Sequence, residues 1–250
     1  MLIEVLQSCA ELDRRPWLRR CRDSVRAWAE GAGFAYRHEG DALFERLSPE
    51  LRSACRGDAV IASDLGRLAW MRERLDAGVE AVVWLDADTL VLSPSRLELP
   101  AEAWSLGREV WVQRQARGLR AWRPVHNAWL SFRAGNPFLA YYAAAAERTL
   151  LRHDGRHRVP QLIGPKLLTA IHNAAPGPVN ERAGVLSPAV IADLVRGDGP
   201  ALRLFRRRSS EPPACVNLCA SSVRRGELDD SDMSGLIERL EGDPALLGPS

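Results

Sequence analysis

Lysine is nearly absent from this chain: Lys166 is the only one among 34 basic residues, so the cationic side is carried by arginine. Arginine keeps its charge when partly buried and can grip phosphate with two parallel hydrogen bonds. An excess of either charge is also missing. The net charge is +2 against 32 acidic residues, which argues against nucleic acid as a partner. No apolar run is long enough to span a bilayer, and the N-terminal MLIEVLQS lacks a secretory h-region of normal length. A cytoplasmic location is expected. Peripheral contact with the inner membrane face stays open through the basic run Arg206–Arg208, though a solvated run explains it equally.

A cysteine pattern is lacking too. Cys9, Cys21, Cys55, Cys215 and Cys219 are odd in number and scattered, which is no disulfide framework. Cys215 and Cys219 have no second pair to complete a zinc site. His153 and His157 lie among arginines in RHDGRHR and read as solvated surface. Repeats and linkers are absent. A single α/β domain over residues 1–241 is expected, with a flexible tail at 242–250.

What is present alternates between strand and helix signals. Ile3–Leu6 predicts a strand. Asp13 predicts a helix cap before Pro16, and Trp17, Leu18, Cys21, Val25, Trp28 and Ala29 share a helical face. Phe34–Arg37 predicts a second strand, Ser48-Pro49 a short helix, and Ala59–Ala77 a longer one. Ala103–Leu106 and Val110–Gln113 predict strands about a turn at Gly107. Asn127–Phe132 predicts another strand, Asn136-Pro137 a helix start, and 160–173 a helix that must accommodate Gly164-Pro165. Ala214–Leu218 predicts a late strand. The eight tryptophans read mostly as core, with one or two left to stack on a base or sugar face.

The most informative segment is VEAVVWLDADTLVLSP, Val79–Pro94. The apolar run Ala81–Leu85 ends in Asp86 and Asp88. A buried strand that delivers paired acids at its C-terminal end is how an open α/β sheet builds a ligand site. Burying two unpaired carboxylates costs several kcal/mol, so a metal, an arginine or helix-terminal N–H groups must compensate them. Simple capping of the following turn is the plainer account. Asp230 and Asp232 repeat the spacing, but in a polar run that reads as a solvated helix start. Upstream, Asp64 and Arg67 in ASDLGR are spaced i, i+3 on one helical face, where an ordinary surface ion pair also explains them.

ASDLGR followed by VVWLDAD resembles the signature of the GT-A-fold glycosyltransferases with a DXD-containing sugar-binding region. The resemblance is strongest over Ala59–Pro94. Gln7, Asn127 in HNAWLSFRAGNP and Gly164-Pro165 are similar to further family elements. Val216–Ser221 stands where the family often has H-x-W-x-x-S, with Asn217 in place of His. The resemblance implies a GT-A-like, Rossmann-type mixed sheet flanked by helices, and transfer from a nucleotide-sugar, most simply a UDP-sugar. The acceptor would be a saccharide or lipid-linked glycan in surface polysaccharide synthesis, with retention of configuration. It further implies Mn²⁺ or Mg²⁺ bound directly by Asp88, with Asp86 contacting the donor ribose or sugar and reaching the metal through water. The Asn217 amide oxygen would complete the metal shell. Asp64 would accept hydrogen bonds from donor hydroxyls, Arg67 would hold the diphosphate or sugar, and Gln7, Ser63 and Asn127 would line the donor site. Two alternatives stand beside it: a degenerate, non-catalytic sugar- or partner-binding fold, and a haloacid-dehalogenase-type phosphatase, whose motif needs one more residue before Thr89.

Overall fold

The computed structural model describes residues 2–10, 13–153, 159, 161–220, 223 and 228–248. His157, Pro160 and Ser221, singled out above, lie outside these described residues.

Strand β1 (Ile3–Ser8) leads into helix α1 (Pro16–Gly31), then β2 (Ala35–Glu39). The apolar face of α1 is the expected one, and all six of its residues are buried. Asp13 does not cap it; the cap position is Arg15, and Asp13 instead pairs with that guanidinium. Two helices follow, α2 (Pro49–Cys55) and α3 (Ala59–Asp76), capped by the side chains of Ser48 and Asp58. Then come β3 (Ala81–Leu85), β4 (Thr89–Val91), β5 (Trp104–Arg108), the pair β6 (Trp111–Gln115) and β7 (Gly118–Trp122), and β8 (Val125–Arg133). Asn136 caps α4 (Pro137–Arg152), and α5 is Pro165–Ala174. The remainder is β9 (Val179–Asn180), β10 (Ala183–Val185), α6 (Pro188–Arg196), α7 (Pro200–Arg208), β11 (Cys215–Asn217) and α8 (Asp230–Gly242).

The main sheet has the order β2-β1-β3-β8-β5-β9. β1 is parallel to both β2 and β3, whereas β8 runs antiparallel to β3 and β5. A strand central to such a sheet is covered on both faces, which is why Ala81–Leu85 is apolar without alternation and buried throughout. A small sheet, β10-β11-β4, and the isolated ribbon β6–β7 complete the architecture. One core packs α3, α4 and α5 on one side of the main sheet, and another joins α1, α6, α7 and α8 to the small sheet.

Three expectations need correction. Gly107 is no turn: it lies inside β5 at a register shift, opposite His126. A Cβ there would sit 2.2 Å from the imidazole, so only glycine fits. Within the expected tail, Pro244–Leu247 forms a 3₁₀ turn and Leu247 is fully buried. Asp230 does start a helix, but its carboxylate accepts from Trp17 Nε1 at 2.7 Å rather than facing only solvent. No disulfide joins the cysteines among the described residues, and Cys21, Cys55 and Cys215 are buried. No described helix is long and apolar enough to cross a membrane.

Glu109, just past β5, is 8% exposed, and burial alone pushes its carboxyl up to about 8. The unfolded chain releases this proton near 4.5 and the folded chain only near 8, so stability falls as pH rises through that window. Glu109→Gln is neutral at every pH. It should match the parent's melting temperature at pH 5 and exceed it at pH 8 by the equivalent of a few kcal/mol. Equal melting temperatures at both pH values would show that Glu109 reaches water.

Candidate active site

Past Leu85 the chain turns out of the main sheet into β4 of the small one. The Thr89 N–H closes this turn on the Asp86 carbonyl at 3.0 Å, and the Asp86 N–H is held by the Ala128 carbonyl of β8 at 3.1 Å. Asp86 and Asp88 therefore stand where the two sheets meet, with β1, β8 and β11 alongside.

Asp86 Oδ1 accepts from Arg67 Nη1 at 2.9 Å and from Trp84 Nε1 at 2.7 Å. Trp84 and Asp86 share a strand face at i, i+2, a period that makes this contact readable in principle. The Trp84 ring packs edge-on against Trp70 and lies 5.0 Å beneath the Arg67 guanidinium. The Asp86 side chain remains 26% exposed, and its Oδ2 makes no hydrogen bond within the described residues.

Arg67 is committed on every side. Nη1 also donates to the Asn127 carbonyl at 2.8 Å, Nε donates to the Ser63 carbonyl at 3.3 Å, and Nη2 pairs with Asp64 Oδ1 at 3.1 Å. Asp64 and Arg67 do share a helical face, but it points inward: they are 3% and 6% exposed. A surface ion pair is thereby excluded. Asn127 Nδ2 donates to Asp64 Oδ1 at 2.7 Å, while Asp64 Oδ2 is buried without a partner. Burial pushes the Asp64 carboxyl up to about 6, against the opposing pull of Arg67. Gly164, the cap residue of α5, lies over this carboxylate; a Cβ there would meet Asp64 Oδ2 at 2.6 Å and Asn127 Nδ2 at 2.9 Å.

Asp88 is enclosed by β11 and the residues after it. Its Oδ1 accepts from Asn217 Nδ2 at 2.6 Å and its Oδ2 from the Ala220 N–H at 2.7 Å, while its carbonyl accepts from the Leu218 N–H at 2.9 Å. Burial, with the Asp86 charge second, pushes its carboxyl up to about 6. The orientation of Asn217 is settled by its other neighbour. The Cys219 N–H, 2.8 Å away, can only donate, so the amide atom facing it is oxygen and the one facing Asp88 is nitrogen.

The donor set can be tested against a divalent cation. Asp86 and Asp88 are hard oxygen donors, and the raised Asp88 carboxyl marks negative charge short of compensation, which a cation would supply. Asn217 does not fit as the sequence implied, because its oxygen is already turned to Cys219. Among the described residues no group of three His, Cys, Asp or Glu side chains is placed to hold a metal. The residues that would hold a cation here are the two carboxylates, Asp86 and Asp88.

Gln7 sits behind the site. Its Nε2 donates to the Asp86 carbonyl at 3.0 Å and its Oε1 accepts from Tyr36 at 2.8 Å, with no exposure. It supports the acidic turn and offers nothing outward. His126 was not anticipated. Its Nδ1 accepts from the Ala128 N–H at 3.1 Å, which puts the ring proton on Nε2, donating to the Ala183 carbonyl at 2.8 Å. Burial lowers its pKa to about 4, so the ring is neutral and ties β8 to β10. Its adjacency to Asn127 was the available signal.

No protein-family model matches the chain, and no curated protein matches it. Among solved structures it is similar to a glycosyltransferase involved in the glycosylation of the major capsid of PBCV-1. The TM-score is 0.52 and the identity 12%, over 94% of this chain and 100% of that one. It is also similar to the galactosyltransferase LgtC in complex with donor and acceptor sugar analogs, with TM-score 0.48 and 14% identity, over 94% and 95% of the two chains. At these identities the likeness is one of fold, and the mixed sheet flanked by helices is GT-A-like, as the sequence led us to expect.

Proposed function

We propose that this protein is a metal-dependent glycosyltransferase that takes a sugar from a nucleotide-sugar, a UDP-sugar in the simplest case, to a saccharide or lipid-linked acceptor, with retention. One observation carries the reading. Three carboxylates lie in one cluster at the end of β3 with a single buried counter-charge: Asp64 and Asp86 pair with Arg67, Asp88 accepts only from Asn217 and the Ala220 N–H, and burial pushes the Asp64 and Asp88 carboxyls up. Such an excess of buried negative charge calls for a cation, and a cation there calls for a diphosphate.

Asp86 and Asp88 would hold Mn²⁺ or Mg²⁺, which when bound supplies Lewis-acid stabilisation of the departing nucleoside diphosphate. Asp86 presents its open Oδ2, and Arg67 fixes the rotamer of that side chain. Arg67 is thus read as a positioning residue rather than a direct grip on phosphate, since Nε and Nη1 bond to protein acceptors and Nη2 faces Asp64. Asp64 Oδ2, buried and unpartnered, is the acceptor left for a sugar hydroxyl, and a buried acceptor without a partner is costly until filled. Asn127 holds the other oxygen of that carboxylate, and Ser63 reaches the cluster through its carbonyl on Arg67. The phosphatase alternative finds little support: the acidic pair follows the third strand, and the first ends in Gln7-Ser8 without a carboxylate.

The test is a thermal-shift panel of nucleotide-sugars with and without Mn²⁺. A UDP-sugar should raise the melting temperature by several degrees only when Mn²⁺ is present. If no nucleotide-sugar does so, the reading fails.

A further inference from the structure

The ribbon β6–β7 has no role in the site described above, yet it grows from the end of the sheet that carries it. β8 begins at the site end, and only four residues lie between Trp122 at the foot of β7 and Asn127. Five chain steps span no more than about 18 Å, so the ribbon foot is held within that distance of Asn127.

Its two faces differ sharply. Val112, Leu119 and Ala121 point inward and pack on the core built by α6, α7 and α8. The outer face carries the register pairs Trp111 with Trp122 and Gln113 with Arg120, followed by Gln115. Trp122 is 40% exposed, against full or near-full burial for Trp17, Trp70, Trp84 and Trp129. From Trp111 to Arg123 the chain holds four arginines and no acid. Arg123 pairs with Glu181 and Arg114 lies opposite Leu119 on the inner face, whereas Arg117 at the tip and Arg120 on the outer face form no ion pair among the described residues.

We propose that the outer face of this ribbon binds an acidic saccharide, the acceptor chain of the transfer; the word acceptor rests on the function proposed above, the saccharide site does not. Indole faces stack on the apolar faces of pyranose rings. Glutamine amides offer a donor and an acceptor to neighbouring hydroxyls, and guanidinium forks take carboxylate or sulfate in bidentate fashion. The same composition on a membrane-binding ribbon would put its apolar residues at the tip. Here the tip is Gln115-Ala116-Arg117-Gly118 and the tryptophans stand at the foot, the end that leads to Asn127. That placement favours a sugar chain over a bilayer.

The experiment uses the full chain and three probes: a galacturonic acid hexamer, maltohexaose, and vesicles of phosphatidylglycerol. Binding is read by calorimetry and tryptophan fluorescence, on the parent and on Trp122→Ala and Arg120→Gln. The uronic hexamer should bind in a salt-dependent manner and more tightly than maltohexaose. Trp122→Ala should weaken it at least tenfold and Arg120→Gln severalfold, and both should keep the parent's UDP-sugar and Mn²⁺ thermal shift. No binding of the hexamer, binding that survives Trp122→Ala, or a ribbon-dependent affinity for vesicles alone overturns the proposal. Hexamer binding lost in Trp122→Ala, in a protein with no nucleotide-sugar response, leaves the saccharide site standing and removes the transferase reading instead.

Discussion

Arg67→Ala should cost about 3–5 kcal/mol of folding stability, the largest loss expected from any single change at the site. The guanidinium is 6% exposed and is the counter-charge to both Asp64 and Asp86. Its removal leaves two carboxylates close together and without compensation, and it also orphans the Asn127 carbonyl. Water cannot easily replace it, because α3 and β8 close over the pair. Arg67→Lys should recover little, since one ammonium cannot reach Asp64, Asp86 and two carbonyls at once. Urea denaturation of the variants is the measurement. A loss below about 1 kcal/mol would mean that the carboxylates are already relieved by protonation or solvent. Arg67→Ala combined with Asp64→Asn should be less destabilised than Arg67→Ala alone, because one uncompensated charge is gone.

Asp88→Asn should flatten the pH dependence of stability while removing activity. The Asp88 carboxyl is pushed up to about 6 in the fold, against 3.8 for the ordinary group. Between those values the folded chain binds more proton than the unfolded one, so folding stability falls as pH rises through the window and stays lower above it. A neutral amide escapes that loss. Without metal, Asp88→Asn should therefore lose less stability than the parent between pH 4 and pH 7.5, on top of a pH-independent cost of about 1–3 kcal/mol, because its Nδ2 must face a donor, the Asn217 amide or the Ala220 N–H. With Mn²⁺ and a UDP-sugar it should lose the thermal shift, and sugar transfer should fall by about 10³-fold or more, the scale of losing a group that stabilises the leaving charge. The pairing of a flattened pH dependence with a dead site is the signature of a functional carboxylate held charged against its burial. Retained transfer in Asp88→Asn would remove this residue from the site.

Much of the frame around that carboxylate was legible in the sequence. Ala81–Leu85 announced a buried strand by unbroken apolarity, and α3 announced itself by its helical period over Ala59–Ala77. These signals are local, carried by period and caps. The ribbon was harder. Gly107 mimics a turn signal, but it is glycine because His126 fills the space a side chain would need. β7 carries only a two-residue apolar alternation, Leu119 and Ala121 about Arg120, too short to mark a strand by period alone. Residues between Pro188 and Arg208, which form α6 and α7, were not assigned from sequence at all, since their caps lack side-chain hydrogen bonds.

What the sequence determined by itself is that two acids end a buried strand, that Asp64 and Arg67 share a helical face, and that something must balance the charge. What only the tertiary structure decided is the direction of each polar atom. Asn217 meets Asp88 across 129 positions of chain, with its nitrogen forward because the Cys219 N–H claims the oxygen. Arg67 faces inward because Asp86 and Asn127, from two different strands, converge on it. Periodicity states which face a residue occupies. The partner it finds there comes from distant chain brought alongside by packing, and that partner fixes whether the group is a ligand, a prop or a counter-charge.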